Sequence, residues 1–165
     1  MNFLASMNVA VLVVLLVLAL VVFLLLVLGG LVFWLRKKLE RKEKAARAAL
    51  AGENVLMSTT KSNFFGLDSL GVKQIRGNGV LVLTEKQLAF FMVKPVKVIS
   101  VPLDRVLKTE TPMSFCSKAV GQPLLAVYFR NNEGVEDGAG FWVPSPPEWV
   151  AAVSEAAGLE PTEED

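Results

Sequence analysis

Five short stretches of this chain hold residue types that could do chemistry. Ser117-Lys118 sets a hydroxyl beside an amine, the parts of a nucleophile and its base. Glu133, Glu136 and Asp137 bring three carboxylates close together, as a hard cation would require. Gly77-Asn78-Gly79 has the flexibility of a phosphate-cradling loop. Lys73 and Arg76 could meet an anionic headgroup, and the adjacent rings of Phe64 and Phe65 could meet a protein. Most of these reduce to simpler explanations. Adjacent residues in a polar segment are poorly placed for base-assisted attack, so Ser117-Lys118 reads as an ordinary loop. The three acids lack the spaced ligand series of a calcium loop and read as a solvated turn beside Gly134 and Gly138. Gly77–Gly79 lacks the Gly-Lys-Ser/Thr ending and a following helix, so a tight turn entering a hairpin explains it better.

The residues that are missing narrow the chemistry further. The chain has no histidine and one cysteine, Cys116, so imidazole catalysis and an ordinary Cys/His zinc site are both ruled out. No residue set supports an enzyme, and no cofactor or metal is implied. What remains is binding. Around Lys73 and Arg76, further cations that could join a headgroup site are Lys86, Lys94 and Lys97. Residues 53–158 carry ten basic and ten acidic side chains, so the segment is neutral. That balance argues against nucleic acid, which requires a basic face, and against a strong polyphosphate site.

These candidates must be positioned by elements of two very different kinds. Val9 to Leu35 contains no charge, and as a helix its 27 residues would reach about 40 Å, more than the roughly 30 Å of a hydrocarbon core. A transmembrane helix over 9–35 is therefore expected. A cleavable signal would need a basic start, a shorter apolar core and a small-residue cleavage site, none of which is present. The next segment, 36–52, reads as a basic juxtamembrane helix stopped by Gly52. It holds Arg36, Lys37, Lys38, Arg41, Lys42, Lys44 and Arg47 against two acids, a net of +5 up to Arg47. Cations beside a span stay cytoplasmic, which puts residues 1–8 outside and the rest inside, in a cell or inner membrane. The same cluster would attract anionic lipid at about 1 kcal/mol per residue.

Beyond residue 53, short apolar runs separated by Gly, Pro and Asn predict an antiparallel β domain over 54–158. Strands are expected near 64–69, 79–84, 86–93, 96–101, 104–110, 124–130 and 138–143. In 88–93 both faces are apolar, so that strand should be covered on both sides or lie in a closed barrel. Pro146-Pro147 opens a C-terminal helix with Trp149, Val150 and Val153 on one side, closed by Gly158. Residues 159–165 read as an acidic disordered tail.

Four segments carry a family resemblance: "GNGVLVLTEKQLAF" (77–90), "VISVPLDRVLKTE" (98–110), "LLAVYFRN" (124–131) and "GFWVPSPPEWVAAV" (140–153). Together they resemble the pleckstrin-homology-like superfold, and more closely its GRAM-like and bacterial branches. The resemblance covers roughly 64–155. It implies a mainly β domain, a seven-stranded partly open barrel or sandwich capped by a C-terminal helix, here behind a single transmembrane helix. It also implies that a headgroup site would draw on the loop joining the first two strands, where Lys73 and Arg76 lie. Two functions follow as expectations. One is a single-pass adaptor docking an unknown protein partner at the cytoplasmic face, with Phe64 and Phe65 as contacts. The other is a sensor of anionic lipids, in which tethering makes weak binding sufficient.

Overall fold

The computed structural model describes residues 9–159. The expected extracytoplasmic residues 1–8 and all of the acidic tail beyond Leu159 lie outside the described residues. The chain divides into two compact units, meeting between Arg41 and Lys42.

The first unit contains most of a helix, α1 (Val9–Ala49). Its stretch Val11–Trp34 is long and apolar enough to cross a membrane, and none of it is buried inside the protein. A core helix of a soluble domain would hide its apolar side chains, so the unburied aliphatic surface is suited to lipid. Lys37 holds its ammonium 5.8 Å from the centre of the Phe33 ring.

The second unit is built on nine strands and a terminal helix. In chain order they are β1 (Val55–Leu67), β2 (Gly77–Thr84), β3 (Gln87–Met92), β4 (Lys97–Pro102), β5 (Val106–Glu110), β6 (Ser114–Phe115), β7 (Lys118–Ala119), β8 (Leu125–Arg130), β9 (Glu136–Trp142) and α2 (Pro146–Ala157). Seven of them form one antiparallel sheet in the order β4-β3-β2-β1-β9-β8-β5, and β6-β7 forms a separate small hairpin. β4 and β5 remain as edges, so the sheet curls without closing. This is the seven-stranded, partly open sheet with a C-terminal helix that the sequence leads one to expect.

The inner core follows from strand alternation. Leu81 and Leu83 of β2 and Leu88, Phe90 and Met92 of β3 face it, with Val127 and Phe141 from the other half of the sheet. Phe64, Phe90 and Phe141 form a ring trio with centroids 5.6 to 5.9 Å apart, a spacing favourable for tilted aromatic pairs. α2 closes the open side by inserting Trp149 and Val153, both fully buried. Its start uses Pro146 and Pro147, and Gly158 ends it at φ 66°, with Leu159 N–H donating to the Ser154 carbonyl at 2.9 Å.

Four sequence expectations change here. β1 starts at Val55, nine residues before the expected strand, because 55–63 pairs with β2 although two thirds of it is polar. Gly77 and Gly79 lie inside β2, not in a turn, and neither has positive φ. They are glycine because of close approach: a Cβ would meet Met92 Sδ at 2.5 Å from Gly77 and the Phe91 carbonyl oxygen at 2.4 Å from Gly79. The β6-β7 hairpin was not expected at all. Finally, the juxtamembrane helix and the β domain are not separate at residue 53. Ala46 and Leu50, at the end of α1, are buried against Val80, Val82 and Ala89 on the outer face of β2 and β3. This explains why β3 is apolar on both faces: one side meets the core and the other meets the helix end.

Candidate functional site

A groove of about 480 Å³ opens on the second unit where β1, the start of β2, the end of β9 and the segment after β7 converge. Its chemistry builds up from local causes. β1 has a register shift against β2 between Thr59 and Ser62, so an extra residue bulges there and β1 bends. Lys61, at the bulge, is exposed and lines the groove. Arg76 enters from the residue before β2. Its guanidinium carbon lies 4.0 Å from the centre of the Phe65 ring, a stacked cation-π geometry that fixes its direction. Asn63 and Asn78, opposite each other on β1 and β2, join through Asn63 Nδ2 donating to Asn78 Oδ1 at 2.9 Å. Trp142 forms the apolar wall, and its Nε1–H donates to Gln122 Oε1 at 3.1 Å.

The loop between β1 and β2 is locked beside this groove. Gln74 Oε1 accepts from the Leu67 N–H at 2.8 Å, and its Nε2 donates to the Gly71 carbonyl at 2.6 Å. Lys118 donates to the carbonyls of Phe65 at 2.8 Å and Gln74 at 3.0 Å, tying the β6-β7 hairpin to the loop. The Ser117-Lys118 pair is thereby accounted for: the ammonium is a structural donor. Cys116 and Ser117 form the two-residue hairpin turn at φ 47° and 59°. The Cys116 thiol is pushed up from its ordinary 9.0 by burial and by the nearby Asp68 carboxylate. Tyr128 is likewise raised by burial and then by Glu110, and Lys108 is raised by its hydrogen bond and charge pairing with Glu110.

The three-acid turn also resolves. Asp137 is buried, and its carboxylate accepts from the Ser69 N–H at 2.9 Å, the Ser69 hydroxyl at 2.7 Å and the Gly138 N–H at 2.8 Å. Glu133 and Glu136 are exposed, and no metal-holding cluster occurs among the described residues.

The other expected site residues separate. Arg76 lines the groove, while Lys73 stands exposed on the loop and is not part of its lining. Phe64 is 2% exposed in the inner core and Phe65 is 0% exposed in a second cluster with Phe115, Leu124 and Ala126. Neighbouring strand residues do point to opposite faces, but both faces are covered within the chain. The two rings therefore leave no surface for a partner, and the expected contact through them is corrected. Lys94 and Lys97 flank the β3-β4 turn, and Lys86 lies in the β2-β3 turn, where it lines a second cavity of about 510 Å³ with Glu85 and Asp104. Arg36, Lys37, Lys38, Arg41, Lys42, Lys44 and Arg47 all lie on α1. Among those with described side chains, Arg36, Lys37 and Lys44 are exposed.

A different surface lies at the tips of two loops. Leu70, Val72 and Ile75 in the β1-β2 loop and Val96 in the β3-β4 turn are exposed, Val96 by 91%, among Lys73, Lys94 and Lys97. The β3-β4 turn is tied to the start of β2, just past the β1-β2 loop, since Val93 N–H donates to the Asn78 carbonyl at 3.0 Å.

No protein-family model matches the chain, and no curated protein sequence matches it. Solved structures do. A chain of "The 8S snRNP Assembly Intermediate" is similar at TM-score 0.50 and 10% identity, over 68% of this chain and 88% of that one. The C-terminal domain of an unknown protein from Leishmania infantum is similar at TM-score 0.50 and 15% identity, over 72% and 96%. The Vps36 N-terminal PH domain is similar at TM-score 0.46 and 16% identity, over 65% and 80%. At these identities the likeness is one of fold.

Proposed function

We propose that the protein is a non-catalytic docking module held at a membrane by α1, with its PH-like domain on the cytoplasmic side and a protein partner as its ligand. Within the fold, the resemblance of segments 77–90 and 98–110 supports a reading nearest the GRAM-like and bacterial branches. The orientation rests on the net charge of +5 between Arg36 and Arg47, because cations beside a span are retained in the cytoplasm. One observation supports docking above the others. The β1-β9 pairing extends only from Leu67↔Ala139 to Asn63↔Trp142, and a groove with a polar floor and an indole wall opens at its end. A sheet edge next to a shaped groove is a common mode of peptide capture.

Site-specific crosslinking tests this. A photoreactive residue at Gln122 should give a discrete protein adduct in native membranes, whereas one at exposed Glu148 should not. Absence of any reproducible adduct at Gln122 would sink the assignment. Orientation is tested separately with Val135→Cys in a Cys116→Ser background. A membrane-impermeant thiol reagent should label it only after lysis, and labelling of intact cells would reverse the topology.

The exposed loop tips favour a second reading, contact with anionic lipid. Apolar side chains among lysines suit an interface where the former enter the headgroup region and the latter meet negative charge. With the full chain in nanodiscs, an environment-sensitive dye on Val96→Cys should shift to the blue when phosphatidylserine is added to phosphatidylcholine. Lys73→Glu with Arg76→Glu should cancel the shift, and a dye that stays water-like in both lipids removes this reading.

A further inference from the structure

We infer that the groove beside β1 takes an extended acidic peptide segment of a partner protein, laid as a strand next to Thr60–Ser62. This rests on the docking assignment and specifies the chemistry of its ligand.

Three observations converge. The first is the form of the groove. Four consecutive β1 residues, Thr60 to Asn63, line it. The bulge between Thr59 and Ser62 interrupts the regular alternation of side chains, and a groove touching four consecutive residues runs along the strand rather than over one face. β9 pairs with β1 only as far as Trp142, after which Pro144, Pro146 and Pro147 carry the chain into α2. The strand position beside Thr60–Ser62 therefore receives no residue from β9.

The second is charge. Lys61 and Arg76 both line the groove, and no acidic residue does. Neither forms an ion pair among the described residues, where Lys108–Glu110 is the pair found. Arg76 is also pre-oriented by its stacking on Phe65, so less side-chain freedom is lost when it meets a carboxylate.

The third is polar demand. Asn63 Oδ1 is buried and has no hydrogen-bond partner among the described residues. An unmet acceptor of this kind is uncommon in folded proteins, and a turn of the amide toward the groove would let a peptide N–H donate to it.

The same facts weigh against lipid in this groove. The exposed apolar tips Leu70, Val72, Ile75 and Val96 are not among its lining residues. With ten bases and ten acids over 53–158, the domain has no strong positive field for a polyphosphate headgroup. Two separate cations on an amide-rich edge match one or two carboxylates on an extended chain.

A random-peptide display library selected on the full-length protein in nanodiscs provides the test. Enriched peptides should carry Asp or Glu, and a synthetic copy should lose at least about tenfold in affinity on Lys61→Glu, as on Arg76→Gln. That loss corresponds to about 1.4 kcal/mol. Backbone N-methylation at alternate peptide positions should abolish binding, since strand addition uses those N–H groups. Lys61 is exposed at the bulge, so a folded Lys61→Glu protein keeps the test valid even if Arg76→Gln disturbs the Phe65 contact. Peptides without acidic enrichment, or binding indifferent to both substitutions, would overturn the groove while leaving docking intact. If no peptide is selected, the docking assignment fails and the inference fails with it. If Lys61→Glu weakens attachment to phosphatidylserine vesicles but not to peptide, the groove is a lipid site and the inference is wrong.

Discussion

The outer face of the sheet is covered in two ways, and the two covers differ. Over β2 and β3, the end of α1 brings Ala46 and Leu50 against Val80, Val82 and Ala89, and the contact is aliphatic. Over β9 and β8, the β6-β7 hairpin sets Phe115 against Leu124 and Ala126, and the fit depends on glycine. A Cβ at Gly140 would come within 2.4 Å of the Phe115 ring. The helix lies on a smooth apolar stripe, whereas the hairpin is keyed into its sheet by a missing side chain and fixed by Lys118. The groove opens beside the second, keyed cover and is lined in part by Val120 and Gln122, which follow it. A keyed hairpin can hold such residues in register with the sheet, and an aliphatic contact alone would do this less well.

The comparison can be broken in order of expected effect. Phe115→Ala should cost about 3–5 kcal/mol in urea unfolding followed by Trp149 fluorescence, the loss for a large buried ring that leaves a void over Gly140. Leu50→Ala should cost less, about 2–3 kcal/mol, because its stripe can partly collapse. Equal losses would mean that the covers are equivalent. Lys118→Met should cost about 2 kcal/mol, since it leaves the Phe65 and Gln74 carbonyls without their donor. It should also weaken crosslinking at Gln122, which Leu50→Ala should not.

The smallest effect is one of pH. Cys116, Tyr128 and Lys108 all bind their protons more tightly when folded. A raised pKa gives stability that is present below the unfolded value and lost as pH rises through the folded one. The urea midpoint should therefore fall above about pH 9, starting with the cysteine, and Cys116→Ser should flatten the first part of that decline. A midpoint unchanged from pH 8 to 11 would contradict the burial of the hairpin turn.

The sequence disclosed the fold where periodicity is strong. Val80–Leu83 and Leu88–Met92 alternate between core and helix end, and Trp149 with Val153 marks the buried side of α2. It hid the first half of β1, because Ser58, Thr59, Ser62 and Asn63 have the polarity of a loop while taking their place from pairing with β2. The β6-β7 hairpin was equally hidden. Its turn is Cys116-Ser117, not the Asn-Gly or Asp-Gly that normally announces such a bend. For Gly77 and Gly79 the residue type was visible but its cause was not, since close approach is a property of the opposite strand. Of the groove, only Arg76 stood out, because Lys61, Gln122 and Trp142 are far apart in the chain and meet only when the sheet bends.

The burial of Ala46 and Leu50 also sets where the protein can be cut. A soluble fragment begun at Glu53, just ahead of the first strand, would lose that cover and bare Val80, Val82 and Ala89. Such a newly opened apolar stripe invites self-association. Glu53 itself accepts from the Thr84 hydroxyl at 2.6 Å and from Gln87 Nε2 at 2.7 Å, so the cut would fall on a residue already stitched into the β2-β3 hairpin. Starting at Lys42 instead keeps the last turns of the helix as a built-in lid for the strands, and should yield a monodisperse domain where the shorter fragment aggregates.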